Sequence, residues 1–134
     1  MWWVFLLGAT AASAPAVPPS RTVNGVRYGK QEILSGQWFT NFENSRFAEC
    51  DDAACDWLTQ REQAAITCTD GECDKLDREA RRLTHNTGPT APEGSFGIRF
   101  VGRRGLVRHK SRFLGDGERD VLIERLLEIR QVDR

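Results

Sequence analysis

Between Glu93 and Val132 the chain carries its clearest strand pattern and its densest basic run, EGSFGIRFVGRRGLVRHKSRFLGDGERDVLIERLLEIRQV. Phe96, Ile98 and Phe100 alternate with Gly97, Arg99 and Val101, the period-two pattern of a half-buried strand. Gly102 and Gly105 flank Arg103-Arg104, which predicts a bulge or sharp bend before Leu106-Val107. Gly115-Asp116-Gly117 is a turn signal. The segment from Val121 to Val132 reads two ways. As a strand, Val121, Ile123, Leu127 and Ile129 share a face that also holds Arg125. As a helix, Leu122, Leu126 and Ile129 form a stripe built from good helix formers. The strand is preferred, because a barrel needs a closing strand and propensity yields to tertiary context. Two core strands joined by a basic crossover then constrain the rest of the chain to close a small barrel around them.

The preceding segments fit that task. Pro15 to Ser20 (PAVPPS) reads as an extended, solvated tether, since proline fixes φ and removes donors. Asn24-Gly25 predicts a tight hairpin over Arg21 to Tyr28. Gln31 to Cys50 reads as one long strand with a kink point at Gly36. A bend near Asn44-Ser45 would reconcile the odd spacing of Phe42 and Phe47. Asp51-Asp52 can cap a short helix carrying Trp57 and Leu58, and Ala64 to Cys68 is a short strand. Thr69 and Glu72 have capping-box spacing before a helix from about Cys73 to His85, on which Leu76, Ala80 and Leu83 share a face. The fold class expected is mainly β (α+β): a small OB-like, partly open barrel with a short-helix, disulfide-bearing insert. Residues 28–132 form the single barrel domain, with the insert at 50–88 and a tether at 15–27.

The chain has 134 residues, enough for one small domain. Its 19 basic and 19 acidic residues balance, so bulk charge gives no reason to expect nucleic acid or a membrane surface as partner. The balance hides a split. Asp51 to Glu93 holds 10 acids and 5 bases, whereas Gly94 to Arg134 holds 6 acids and 10 bases. Residues 1–14 read as a signal peptide: Trp2 to Leu7 is apolar and Ala12-Ser13-Ala14 fits the small-x-small cleavage rule, although no Lys or Arg precedes the run. That run is too short to span a bilayer, so no transmembrane segment is expected and the mature protein is expected to be periplasmic or secreted.

The cysteines Cys50, Cys55, Cys68 and Cys73 are even in number and confined to one segment after a secretory leader, which favours two structural disulfides. Three connectivities remain open. A zinc site is the rival, but it usually needs a tighter knuckle. The acids Asp70, Glu72, Asp74 and Asp77 fail the calcium-loop pattern, because Lys75 stands where glycine is needed and Arg81 where the bidentate glutamate belongs. No metal and no cofactor is expected.

Arg99, Arg103, Arg104, Arg108, His109, Lys110 and Arg112 form the candidate binding surface, for an anionic ligand or a protein partner. Nucleic acid is not the expected partner, because Phe96 and Phe100 sit on the apolar face rather than among the bases. The bland alternative is a solvated face partly neutralised by the acidic insert. A hydrolase centred on His109 with Asp116 or Glu118 is a further alternative, although neither Ser95 nor Ser111 sits in a nucleophile elbow. No catalytic residue is assigned.

Two stretches carry a resemblance. Trp38 to Cys50 (WFTNFENSRFAEC) resembles the first-strand signature of an uncharacterised family of small exported bacterial proteins, through Phe42, Glu43, Ser45, Phe47 and Cys50. Ser111 to Arg130 resembles their closing segment, in which a glycine turn precedes a strand with a Glu-Arg pair, here Glu124-Arg125. The resemblance implies an OB-like β-barrel and no catalytic residues; the acidic four-cysteine insert departs from its pattern. The functional expectation is an exported, non-enzymatic domain that binds a ligand or partner through the basic strand-loop face. The alternative is a structural or stress-related envelope protein without a specific ligand.

Overall fold

The computed structural model describes residues 16–50, 62–113 and 116–132. The signal-peptide reading of residues 1–14, Cys55 and the short helix at Trp57-Leu58 lie outside the described residues. A small hairpin, β1 (Arg21–Val23) and β2 (Val26–Tyr28), leads into β3 (Glu32–Thr40), β4 (Ser45–Glu49), β5 (Ala64–Cys68), α1 (Glu72–Thr84), β6 (Gly94–Arg104) and β7 (Arg119–Gln131). The hairpin turns at Asn24-Gly25, both with positive φ, as its sequence requires.

The five long strands close into a barrel in the order β3-β4-β5-β7-β6. All neighbours are antiparallel except β5 and β7. Counted within the barrel this is the order 1-2-3-5-4, with the third and fifth strands parallel and the helix between the third and fourth. The expected OB-like barrel with a helical, disulfide-bearing insert is therefore the architecture present. Its ring is closed rather than partly open, with the narrowest junction at β4–β5, where only Arg46↔Ala65 and Phe47↔Ala64 pair.

The core is filled from alternate positions. Leu34 and Trp38 of β3 face Phe100 and Phe96 of β6 in register, and the Trp38 and Phe96 rings lie 5.2 Å apart. Phe47 meets Phe100 edge to face, also at 5.2 Å. Helix α1 packs mainly against β7 and adds Leu76 and Ala80 to the core, joined by partly buried Leu83, the stripe read from its spacing.

Several elements depart from the expectations. Gln31 to Cys50 is not one bent strand but the hairpin β3–β4. Asn41 Oδ1 accepts from the Glu43 and Asn44 N–H groups and builds the turn. Phe42 sits at the tip, 80% exposed, so the odd Phe42–Phe47 spacing never had to fit a core. Gly36 is a close-approach point rather than a kink: a Cβ there would come 2.8 Å from the Phe47 ring and closer still to the Ala48 carbonyl oxygen. The Thr69–Glu72 capping box does not form. Gly71 caps α1 without a side-chain bond, and the Thr69 hydroxyl is buried without a partner. Glu72 instead accepts the Leu126 N–H at 2.8 Å.

β7 is a strand, and its register explains its ambiguity. Against β6 it shifts twice, leaving Glu124 and Leu127 as extra residues. The core positions become Val121, Ile123 and Leu126, with Ile129 packed beside them. The spacing 2-3-3 is neither a clean strand nor a clean helix. Leu126 stands between the two shifts, where Glu72 takes its N–H and Lys75 Nζ lies 3.4 Å from its carbonyl oxygen.

Cys68 and Cys73 are disulfide-bonded, tying the end of β5 to the first turn of α1. Cys50 is also in a disulfide. Replacing Gly36 with alanine is expected to destabilise the barrel by about 2 kcal/mol or more, read as a lower midpoint in urea unfolding.

Candidate functional site

The basic residues leave β6 and enter the crossover Gly105–Glu118, and the structure sends them to different places. Arg99 projects outward from β6, with Glu128 of β7 at 3.6 Å. Arg103 is buried. Its Nε donates to Glu124 Oε1 at 2.8 Å, and one terminal nitrogen donates to the Pro18 and Gly29 carbonyls at 2.9 and 3.1 Å. The tether is thus pinned at Pro18, and Arg103 has no free donor face for a ligand. Arg104, one residue on, turns to the opposite side and is held by Glu32 and Glu49. Arg108 pairs with Glu62. Lys110 is exposed.

Arg112 is the anchor of the crossover. Its Nε and backbone N–H both donate to Asp116 Oδ2 at 2.9 Å, and a terminal nitrogen reaches Asp120 Oδ1 at 3.1 Å. His109 completes the cluster, with Nε2 at 2.9 Å from Asp120 Oδ2 and Nδ1 at 2.9 Å from the Lys110 carbonyl. The two aspartates arrive from the far end of the crossover and the start of β7, so the cluster folds the loop back on itself. Arg112 holds the Asp116 carboxyl below the usual range, more than burial raises it, with help from the Arg112 and Gly117 N–H groups. Beneath the loop start, Tyr28 bridges to Gly105. Burial pushes the Tyr28 phenol up; the nearby Thr67 hydroxyl opposes this, and the Asp120 charge adds to it.

A cleft of about 220 Å³ opens at the barrel mouth formed by the ends of β4 and β6 and the starts of β5 and β7. Phe47, Ala64 and Val121 form its apolar lining, while Glu49, Glu62, Arg104 and Arg119 supply charges of both signs. Among the described residues no group of three His, Cys, Asp or Glu side chains is placed to hold a metal, and no helix is long and apolar enough to cross a membrane.

The candidate bases therefore do not form one face. Arg108, Lys110 and Arg112 share the crossover, whereas Arg99 stands on the sheet, Arg103 lies under the N-terminal arm and Arg104 points into the mouth. Sequence reading missed the exposed apolar residues that accompany them: Leu106 is 55% exposed, Val107 70% and Phe113 61%. The signal was present, since Leu106-Val107 and Phe113 bracket a run that no strand or helix pattern absorbs. No protein-family model, curated protein or solved structure matches the chain.

Glu124 makes a pH dependence legible. Burial pushes its carboxyl up, but hydrogen bonds from Arg21, Arg103 and Gln31 outweigh this, and the net shift is downward. A depressed carboxylate stabilises the fold above its unfolded value, and the stabilisation disappears as pH falls through the folded value. Glu124 and Asp116 both act in this sense. Urea midpoints followed by tryptophan fluorescence are expected to hold steady down to about pH 5 and fall below about pH 4. Glu124→Gln shallows that fall. Glu124→Ala, which strands Arg103 in a buried site, is expected to cost about 3–5 kcal/mol, and Arg103→Met with Glu124→Leu markedly less.

Proposed function

We propose that this chain is an exported, non-enzymatic binding domain whose contact surface is the β6–β7 crossover. The observation that carries the reading is the display of Leu106, Val107 and Phe113 on one crossover, interleaved with Arg108, Lys110 and Arg112. Large apolar side chains on a rigid loop are a common basis of protein–protein contact. The Arg112–Asp116–Asp120–His109 cluster supplies the rigidity, so the loop loses little entropy on binding. A disulfide such as Cys68–Cys73 suits an oxidising compartment, in keeping with a periplasmic or secreted protein.

The partner that fits is a protein surface offering apolar side chains and an acidic group for Lys110. A small free anion fits less well. Arg99, Arg103, Arg104, Arg108 and Arg112 each already face a carboxylate of the same chain. That pairing is the observation favouring the second reading, an envelope protein whose surface serves no specific ligand. A hydrolase at His109 gains no support: both ring nitrogens are engaged, and neither bond is to a serine or cysteine side chain.

A photo-cross-linking residue at Val107 tests the proposal, with Phe42 at the opposite mouth as the comparison. The expected result is a discrete adduct from position 107 in the cell envelope, absent from position 42 and lost on Phe113→Glu. Equal labelling from both positions, or an adduct indifferent to Phe113→Glu, overturns it.

A further inference from the structure

The cluster that holds the crossover has an imbalance of charge. The Asp116 and Asp120 side chains are 0% and 7% exposed. Arg112 bonds to both, but it brings a single positive charge to two buried anions. His109 is the remaining member, its side chain 20% exposed. Its Nε2 faces Asp120 Oδ2 at 2.9 Å, and its Nδ1 faces the Lys110 carbonyl at 2.9 Å and Asp116 Oδ2 at 3.9 Å. These neighbours are acceptors. A neutral imidazole has one N–H and satisfies one side only; an imidazolium has two and satisfies both, while also supplying the missing charge.

The other charged groups around the site do not fill this role. Arg104 and Arg119 line the same cleft as Asp120 but are held by Glu32 and Glu49 and by Glu62. Lys110 reaches the ring only through its carbonyl, and Glu118 only through its backbone, which accepts the His109 N–H at 2.9 Å. The Tyr28 phenol, raised by burial and with the Thr67 hydroxyl beside it, brings no positive charge to the cluster.

We infer that His109 is a proton-operated latch on the crossover. Charged, it ties the loop to Asp120 at the start of β7. Neutral, it drops one of its two hydrogen bonds and leaves two buried carboxylates facing one arginine, and the loop that carries Leu106, Val107 and Phe113 loosens. The latch therefore closes when the ring takes up a proton and opens when it gives one up. The consequence for binding rests on the proposed contact surface; the latch itself does not.

Amide hydrogen exchange of the whole protein tests the latch directly. With rates corrected for intrinsic chemistry, crossover amides, the Arg112 N–H above all, are expected to lose about tenfold protection between about pH 5.5 and pH 8, while α1 and β3 amides do not change. His109→Ala is expected to show the low-protection loop at both pH values. Ring-nitrogen chemical shifts of the wild type give a reading that needs no variant: two protonated nitrogens while the loop is protected. Equal protection at both pH values, or a neutral ring beneath a protected loop, overturns the inference. A pH-dependent loop that yields no cross-link at Val107 sinks the contact surface and leaves the latch standing.

Discussion

The largely buried pair Arg103–Glu124 ties the N-terminal arm to the paired strands β6 and β7. Arg103 belongs to β6, Glu124 is an extra residue of β7, and the carbonyls of Pro18 and Gly29 come from the N-terminal arm. Burying both charges is tolerable because each is fully engaged: Arg103 meets three acceptors, and Glu124 receives Arg21, Gln31 and Arg103. That set of partners holds the arm on the barrel alongside the fully buried Tyr28 side chain and the Gly29 N–H, which donates to the Arg104 carbonyl. So held, the arm places Tyr28 against Gly105, and the Leu106 N–H finds the Arg27 carbonyl. The path of the crossover, and with it the proposed contact surface, thus depends in part on the ion pair that holds the arm.

The parts of the fold legible in the sequence were those set by local chemistry. Asn24-Gly25 announced a hairpin, the Leu76-Ala80-Leu83 stripe announced α1, and Phe96-Ile98-Phe100 announced β6. What was not legible depended on tertiary partners. A four-residue turn built by the Asn41 side chain looks, in sequence, like the middle of an aromatic strand. Glu72 looked like a capping residue because its demand from Leu126 lies far away in the chain. The spacing of β7 looked half helical because two bulges insert residues into its period.

The candidate site divides in the same way. A run of bases is visible at a glance, but its fate is decided by which carboxylate each one meets. Arg103 and Arg104 are adjacent, yet strand alternation sends one under the N-terminal arm and the other into the barrel mouth. The tether read as solvated is exposed from Ala16 to Pro19, yet its Pro18 carbonyl accepts from buried Arg103. Within the crossover, His109 and Asp116 were recognised as neighbours in sequence, whereas Asp120, the closer carboxylate to the imidazole, belongs to β7 and enters only when the loop folds back.

The uneven pairing around the barrel gives the molecule a mechanical grain. β6 and β7 share nine residue pairs and β5 and β7 share five, against two between β4 and β5. β3 and β6 also share nine pairs, so the barrel is built like a bound book, with β3-β6-β7 as its spine and β4–β5 as its fore-edge. The Cys68–Cys73 bridge stitches β5 to α1, and α1 packs on β7, so β5 is tied to β7 both through its ladder and through the helix. Arg46, reaching Gln63 at 2.9 Å across the fore-edge, is its clasp. Opening such an object at the clasp breaks the fewest ladder pairs, so ring closure costs least to lose there.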